Sequence, residues 1–277
     1  MKRWIAPLRD IAVFIAVYVA AQYICIFASA LFPVAETVDA APTAEASVRA
    51  AASAAGQRAA VISVCASFLA VAAVAAYRRR IYGRSGAVMH SRKGFDPRIL
   101  LWGLILLVSL SVVIDPLLSH LPVPSQDYGR GGWTLLSVVV LAPVAEELLF
   151  RGLLLEMLRR NMGVLAAVVA SSTVFAAMHL QPAVMIDAFL AGLALCYIYL
   201  LTRSIYACII LHMFNNAIAM SMQVLEYRDK TLGELIDSSS AYFIIYALAL
   251  AAVAVGVMHA ASTLRRASAV DKNPAAR

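Results

Sequence analysis

Eight apolar stretches of about twenty residues, joined by short polar connections, constrain this chain more than anything else in it. A helix crosses the ~30 Å hydrocarbon core of a bilayer with about 20 apolar residues. Composition agrees: 62% of the 277 residues are hydrophobic and 14% charged, against ~45–50% and ~25% in ordinary soluble domains. The expected fold is all-α, a polytopic membrane helix bundle of about eight transmembrane helices with no sizeable soluble domain. The net charge of +7 is spread over short loops, which membrane topology produces, and gives no reason to expect nucleic-acid binding.

The predicted spans run from Ile11 to Phe32, Ala59 to Ala76, Ile99 to Leu118, Trp133 to the Arg159–Arg160 pair, Val164 to His179, Ala183 to Leu201, Ile205 to Val224 and Ala241 to Leu264. Val38-Asp39-Ala40 resembles a signal-peptide cleavage site, but the first apolar run exceeds the usual ~7–15-residue core of such a peptide, so a retained helix is expected. Pro42-Thr43 marks the start of a helix running on into the second span, and Gln181-Pro182 a break. Pro122, Pro124 and Gly131-Gly132 mark the loop before the fourth. With eight spans, 17 of the 23 lysines and arginines fall on one side and 5 on the other, with Arg151 inside a span. The positive-inside rule then predicts both termini in the cytoplasm, and short loops with an alanine bias suggest a bacterial inner membrane. Cys25, Cys65, Cys196 and Cys208 lie in apolar segments without C-x-x-C spacing and read as packing residues.

Within the fourth span, Pro143 to Arg151 reads PVAEELLFR. A charge at the bilayer centre costs at least about 2.5–3.5 kcal/mol, so three ionisable groups within six residues need a function. Glu147 and Arg151 are i and i+4, share a helix face and can pair. Glu146 lies about 100° around the helix and remains as a spare carboxylate. The fifth span carries Phe175-x-x-x-His179 and the seventh His212-x-x-x-Asn216, each with both side chains on one face. A single intramembrane histidine serves well enough as packing glue. Two histidines, an asparagine and a spare glutamate on three helices point instead to a cavity. Counted from the turns on the basic side, Glu146, His179 and Asn216 all lie roughly 20–27 Å away, at mid-membrane or beyond.

Hydrolysis fits these groups. Glu146 could take a proton from water, with His179 sharing the task, while His212 and Asn216 donate to the oxyanion of a tetrahedral intermediate. A zinc site of Glu146, His179 and His212 with water as fourth ligand is the other chemistry. H-E-x-x-H is absent, and the lean is towards a metal-free site. No phosphate loop or nucleophile elbow is present.

Together the three motifs resemble the CAAX-prenyl-protease and bacteriocin-processing (CPBP) family of intramembrane proteases, whose pattern is EExxxR, FxxxH and HxxxN on successive hydrophobic helices. Here these are Glu146, Glu147 and Arg151, then Phe175 and His179, then His212 and Asn216, with Phe189-x-x-Gly192 and Thr202-x-Ser204-Ile205 as family-like context. The resemblance spans about Trp133 to Ala219. It implies an eight-helix bundle and a metallo- or glutamate-type endopeptidase acting on a membrane-associated peptide or protein. The expected organisation is residues 1–132 with three helices and a basic cytoplasmic loop, a catalytic core over 133–224, and a last helix with basic tail over 225–277. The competing readings are a catalytically silent scaffold that binds a partner protein, and a transporter in which Asp115, Asp187 and Glu226 extend a proton path.

Overall fold

The structure, a computed structural model, describes residues 4–31, 44–83, 95–121, 132–227, 230–236 and 238–272, with the backbone alone at 44–46, 48, 49 and 272. Among these residues there are eight long helices, one single-turn helix at Leu232–Leu235, and no strand. The long helices are α1 (Ile5–Leu31), α2 (Ala44–Tyr82), α3 (Pro97–Leu118), α4 (132–162), α5 (Val164–Ala177), α6 (Pro182–Thr202), α7 (Ile205–Val224) and α8 (Ser239–Lys272). Six of them, α1 to α3 and α6 to α8, contain stretches long and apolar enough to cross a membrane. α5 is apolar but shorter, and α4 carries the charged motif. The chain is a multi-pass membrane helix bundle.

Local signals set the ends. Asp96 caps α3 by accepting from the Arg98 N–H, with Pro97 in the first turn. Gly163, at φ 83°, separates α4 from α5, a conformation glycine adopts at no steric cost. Gln181 is extended ahead of Pro182. Arg203 turns left-handed at φ 55° to end α6, and Ser204 is extended before α7.

α2 begins at Ala44, directly after Pro42-Thr43, so the polar, alanine-rich stretch before Ala59 is helical and runs on into the second span as expected. Other boundaries differ: α1 begins at Ile5 rather than Ile11, and α8 runs on to Lys272 rather than Leu264. Hydropathy marks where a helix meets lipid. Alanine, glutamate and arginine favour continuing the helix beyond that point. α5 stops at Ala177, so His179 stands just past the helix, in the turn that reverses at Leu180 (φ 59°). The cleavage-like Val38-Asp39-Ala40 and the connection 122–131 lie outside the described residues.

α4 lies at the centre. Leu149, Phe150, Leu154, Leu155, Met157 and Leu158 are essentially inaccessible, and α1, α2, α5 and α7 all pack on this helix. Membrane helices associate through close packing of small residues more than through a hydrophobic drive. Accordingly Ala66 and Ala70 of α2 are fully buried. Gly192 of α6 lies so near α5 that a Cβ there would stand 3.0 Å from Ser172 Cβ.

Polar side chains tie one end of the bundle together. Buried Asp10 of α1 accepts hydrogen bonds from Arg9 at 2.9 Å, Tyr77 at 2.7 Å and Tyr82. Asn161 of α4 donates to Tyr82 Oη at 2.8 Å. Arg159 reaches Asp271 of α8 at 2.9 Å. The start of α1 and the ends of α2, α4 and α8 therefore share one end, as the distribution of basic residues requires.

Candidate active site

α4 is a continuous helix that changes register twice. Gly132–Leu135, Ala142–Glu147 and Glu156–Met162 are α-helical, whereas Leu136–Leu141 and Leu148–Leu155 are π-helical. Such wider turns recur at functional sites, and here they bracket the glutamates. In the first of them the Ala142 N–H bonds Ser137 O. Pro143 has no N–H to offer. Neither residue donates to the Val138 carbonyl, which instead accepts from Asn216 Nδ2 of α7 at 2.9 Å. One proline in the motif thus opens a backbone acceptor that fixes an asparagine 78 residues away.

Glu147 is fully buried and makes two charge-assisted contacts. Its Oε1 accepts from Arg151 Nη1 at 2.6 Å and pairs with His212 Nδ1 at 2.8 Å. Arg151, also buried, adds a bond from Nη2 to Gly192 O at 3.3 Å. Arg151 and Glu147 form the ion pair that their i, i+4 spacing predicts. The further link to His212 is not legible in sequence, because it joins residues 65 apart through helix packing. A carboxylate accepts only, so with Glu147 ionised the bond to His212 puts a proton on Nδ1 and turns Nε2 towards Glu146 Oε2, 3.7 Å away.

Glu146 differs from its neighbour in access. Its side chain keeps 21% exposure where Glu147 keeps none. It lines a cavity of about 1220 Å³ together with His179, His212 and Asn216. His179 Nδ1 lies 3.0 Å from Phe175 O; an acceptor there fixes the N–H on Nδ1 and leaves Nε2 as an acceptor. Both histidines thus have one nitrogen occupied by the scaffold, an arrangement that orients an imidazole.

Phe175 is the hub between them. Its ring makes edge contacts with His179 (5.0 Å), His212 (5.8 Å) and Phe150 (4.9 Å), and Arg151 Cζ sits 4.8 Å over its face. A desolvated cation–π contact of this kind contributes roughly 0.5–2 kcal/mol. The motif spacing singles out Phe175, but nothing in the sequence announces four simultaneous partners.

The cavity runs from these residues to one end of the bundle, where Ser119, Tyr227, Lys230 and Thr231 line it. That end is opposite to the one held by Asp10 and Arg159. Asp115 anchors the mouth by accepting from Leu232 N–H at 3.1 Å. Thr231 and Glu234 form a capping box, whose hydrogen bonds hold the Glu234 carboxyl below its ordinary range. Asp187, on the cavity wall, accepts from Ser111 at 3.2 Å. Asp115 and Asp187, carboxylates of the proton-path reading, thus accept hydrogen bonds locally. Glu226 is exposed, at φ 60°.

Of the candidate zinc ligands, Glu146 Oε2 and His212 Nε2 stand 3.7 Å apart, and among the described residues no three His, Cys, Asp or Glu side chains are grouped as the three protein ligands of one ion would be.

Residues 130–218 match the family described as Rce1-like, type II CAAX prenyl endopeptidase Rce1-like. The matched segment contains all three motifs. No curated protein and no solved structure matches the chain.

Proposed function

We propose that this protein, Rce1-like through its central segment, is an intramembrane endopeptidase that hydrolyses a peptide bond with a water activated by Glu146 and His179. The observation that carries the reading is the asymmetry of the two glutamates. Glu147 is buried and engaged by Arg151 and His212, and Glu146 beside it opens into a cavity. That cavity exceeds the ~300–1,000 Å³ of usual small-molecule sites and suits an extended peptide.

In this reading Glu146 takes a proton from water, and His179 Nε2 orients that water by accepting its other hydrogen. The hydroxide formed attacks the scissile carbonyl carbon. The second amide hydrogen of Asn216 donates to the oxyanion, the first being held by Val138 O. Collapse breaks the C–N bond, and the proton on Glu146 passes to the leaving amine. His212, held at Nδ1 by Glu147, lines the same side of the cavity, with Nε2 3.7 Å from Glu146 Oε2. The substrate is a membrane-associated peptide or protein. Comparing the membrane proteomes of cells carrying wild type and Glu146→Ala tests this: one protein should lose its cleavage in the variant. Identical cleavage in both would overturn the assignment.

The same site written with a zinc ion makes a different demand. Metal analysis of the purified protein, set beside the activity of His212→Gln, separates the two. The metal-free mechanism expects partial activity in that variant and no effect of a chelator. One tightly held zinc per chain, lost together with activity, would overturn it.

A further inference from the structure

Part of the cavity wall is built by α3 and α6, which pack against each other. Each presents one helix face to it: Leu107, Ser111 and Asp115 from α3, and Ala183, Asp187 and Ala191 from α6. Within each set the residues are four apart, the spacing that keeps side chains on one face. Asp187 is a carboxylate in a membrane-spanning helix, and the mechanism above does not use it. Its Oδ1 accepts from Ser111 Oγ at 3.2 Å, the contact that joins the two helices here. Among the described residues its Oδ2 has no donor.

The charges around the cavity do not balance. Asp115, Glu146 and Asp187 line it, and among the described residues Lys230 is the one lysine or arginine that does. Lys230 stands at the mouth, over the Tyr227 ring at 5.1 Å and within electrostatic reach of Glu234. Elsewhere the carboxylates have strong partners: Glu147 has Arg151, and Asp115 accepts from the Leu232 N–H. Asp187 has a neutral hydroxyl alone. Intramembrane carboxylates are costly, face cavities and mark the path of a substrate. A cationic donor reaching Asp187 from the cavity would supply both the missing hydrogen bond and the counter-charge. Such a charge-assisted bond is about twice as strong as a neutral one.

We propose that Asp187 is a specificity-determining residue: its free carboxylate oxygen receives a basic side chain of the substrate, so the site takes membrane-associated peptides with a lysine or arginine close to the scissile bond. The inference rests on the proteolytic reading above, in which His179 orients the attacking water. His179 lines the same cavity and lies within electrostatic reach of Asp187, which places the basic side chain beside the reacting bond. The same carboxylate repels an acidic side chain at that position, so it selects by exclusion as well as by attraction.

A library of apolar peptides in detergent micelles tests this. Its members differ at one position, moved along the peptide, which carries lysine, norleucine or glutamate. Cleavage by the full chain is read by mass spectrometry, and binding by fluorescence anisotropy in a Glu146→Gln background. At one position lysine should be preferred to norleucine, and norleucine to glutamate, in both readouts. Asp187→Asn should weaken binding and raise KM for the lysine members by about tenfold or more and leave the norleucine members unchanged. Asp187→Glu, which keeps the charge, should retain the preference. If Asp187→Asn does not fold, Asp187→Ser is read in the same way. Cleavage without a lysine preference, or an equal loss for all members in Asp187→Asn, would overturn the proposal and leave the proteolytic reading intact. Binding that prefers lysine through Asp187, without cleavage of any member by wild type, would overturn the proteolytic reading and keep Asp187 as the binding group. Absence of a lysine preference in binding overturns the proposal whether or not the peptides are cut.

Discussion

Glu147 and Glu146 are adjacent in sequence and opposite in situation, and the contrast decides what each substitution should do. Glu147 is inaccessible and neutralises Arg151 while holding His212. Removing it leaves a buried guanidinium unpaired, so Glu147→Ala should destabilise the protein by about 3–5 kcal/mol and lower expression and Tm. Glu146→Gln keeps shape and volume at a position facing the cavity. It should leave Tm within about a degree of wild type and abolish proteolysis. Unfolding curves and a cleavage assay on the two variants check both expectations, and an active Glu146→Gln would sink the role given to that carboxylate. The ion pair is legible in sequence because i, i+4 spacing alone brings its members together. The His212 bond depends on how α7 packs against α4, which no local pattern encodes.

Helices carry this site through irregularities more than through their regular parts. The π-turn at Leu136–Leu141 and the missing N–H of Pro143 leave the Val138 carbonyl to Asn216. Pro143→Ala would return an N–H to the position five residues after Val138. That donor would compete with Asn216 for the carbonyl. Asn216→Ala should therefore cost about 1 kcal/mol in the wild-type background and clearly less beside Pro143→Ala, as a double-mutant cycle measures. Additive effects would show that the proline does not govern the asparagine. Gly192 is the second irregularity. Its carbonyl accepts from Arg151, and an added Cβ would press on Ser172 at 3.0 Å and its Cα at 3.3 Å. Gly192→Ala should cost about 1–3 kcal/mol by overpacking, with activity falling as Arg151 shifts, whereas Gly163→Ala tests backbone strain alone because no neighbour stands within 4 Å there. Apolar run length gave the eight helices and most of their ends. Register changes inside α4 escaped it, because a π-turn leaves hydrophobicity unchanged and depends on which N–H finds which carbonyl.

At the scale of the whole molecule the two ends of the bundle differ in kind. One end gathers Arg9, Arg159 and Asn161 with their polar ties, and the other holds the cavity mouth at Ser119, Lys230 and Thr231. From the excess of basic residues on the first side, 17 against 5, we propose that this side faces the cytoplasm, as the positive-inside rule expects. In that orientation the cavity opens away from the cytoplasm, and a substrate presents its scissile segment from that face. Single cysteines test this in a background with Cys25, Cys65, Cys196 and Cys208 replaced. Lys230→Cys is exposed and lines the mouth, so a membrane-impermeant maleimide added to intact cells should label it. Arg266→Cys, exposed at the far end, should be labelled only after the cells are permeabilised. A bulky label at position 230 should also slow cleavage, because it occupies the entrance, while the same label at position 266 should not. Labelling of Arg266→Cys but not Lys230→Cys in intact cells would reverse the orientation and leave the chemistry of Glu146 untouched. Labelling at position 230 without loss of cleavage would show that the substrate enters between helices from the lipid instead.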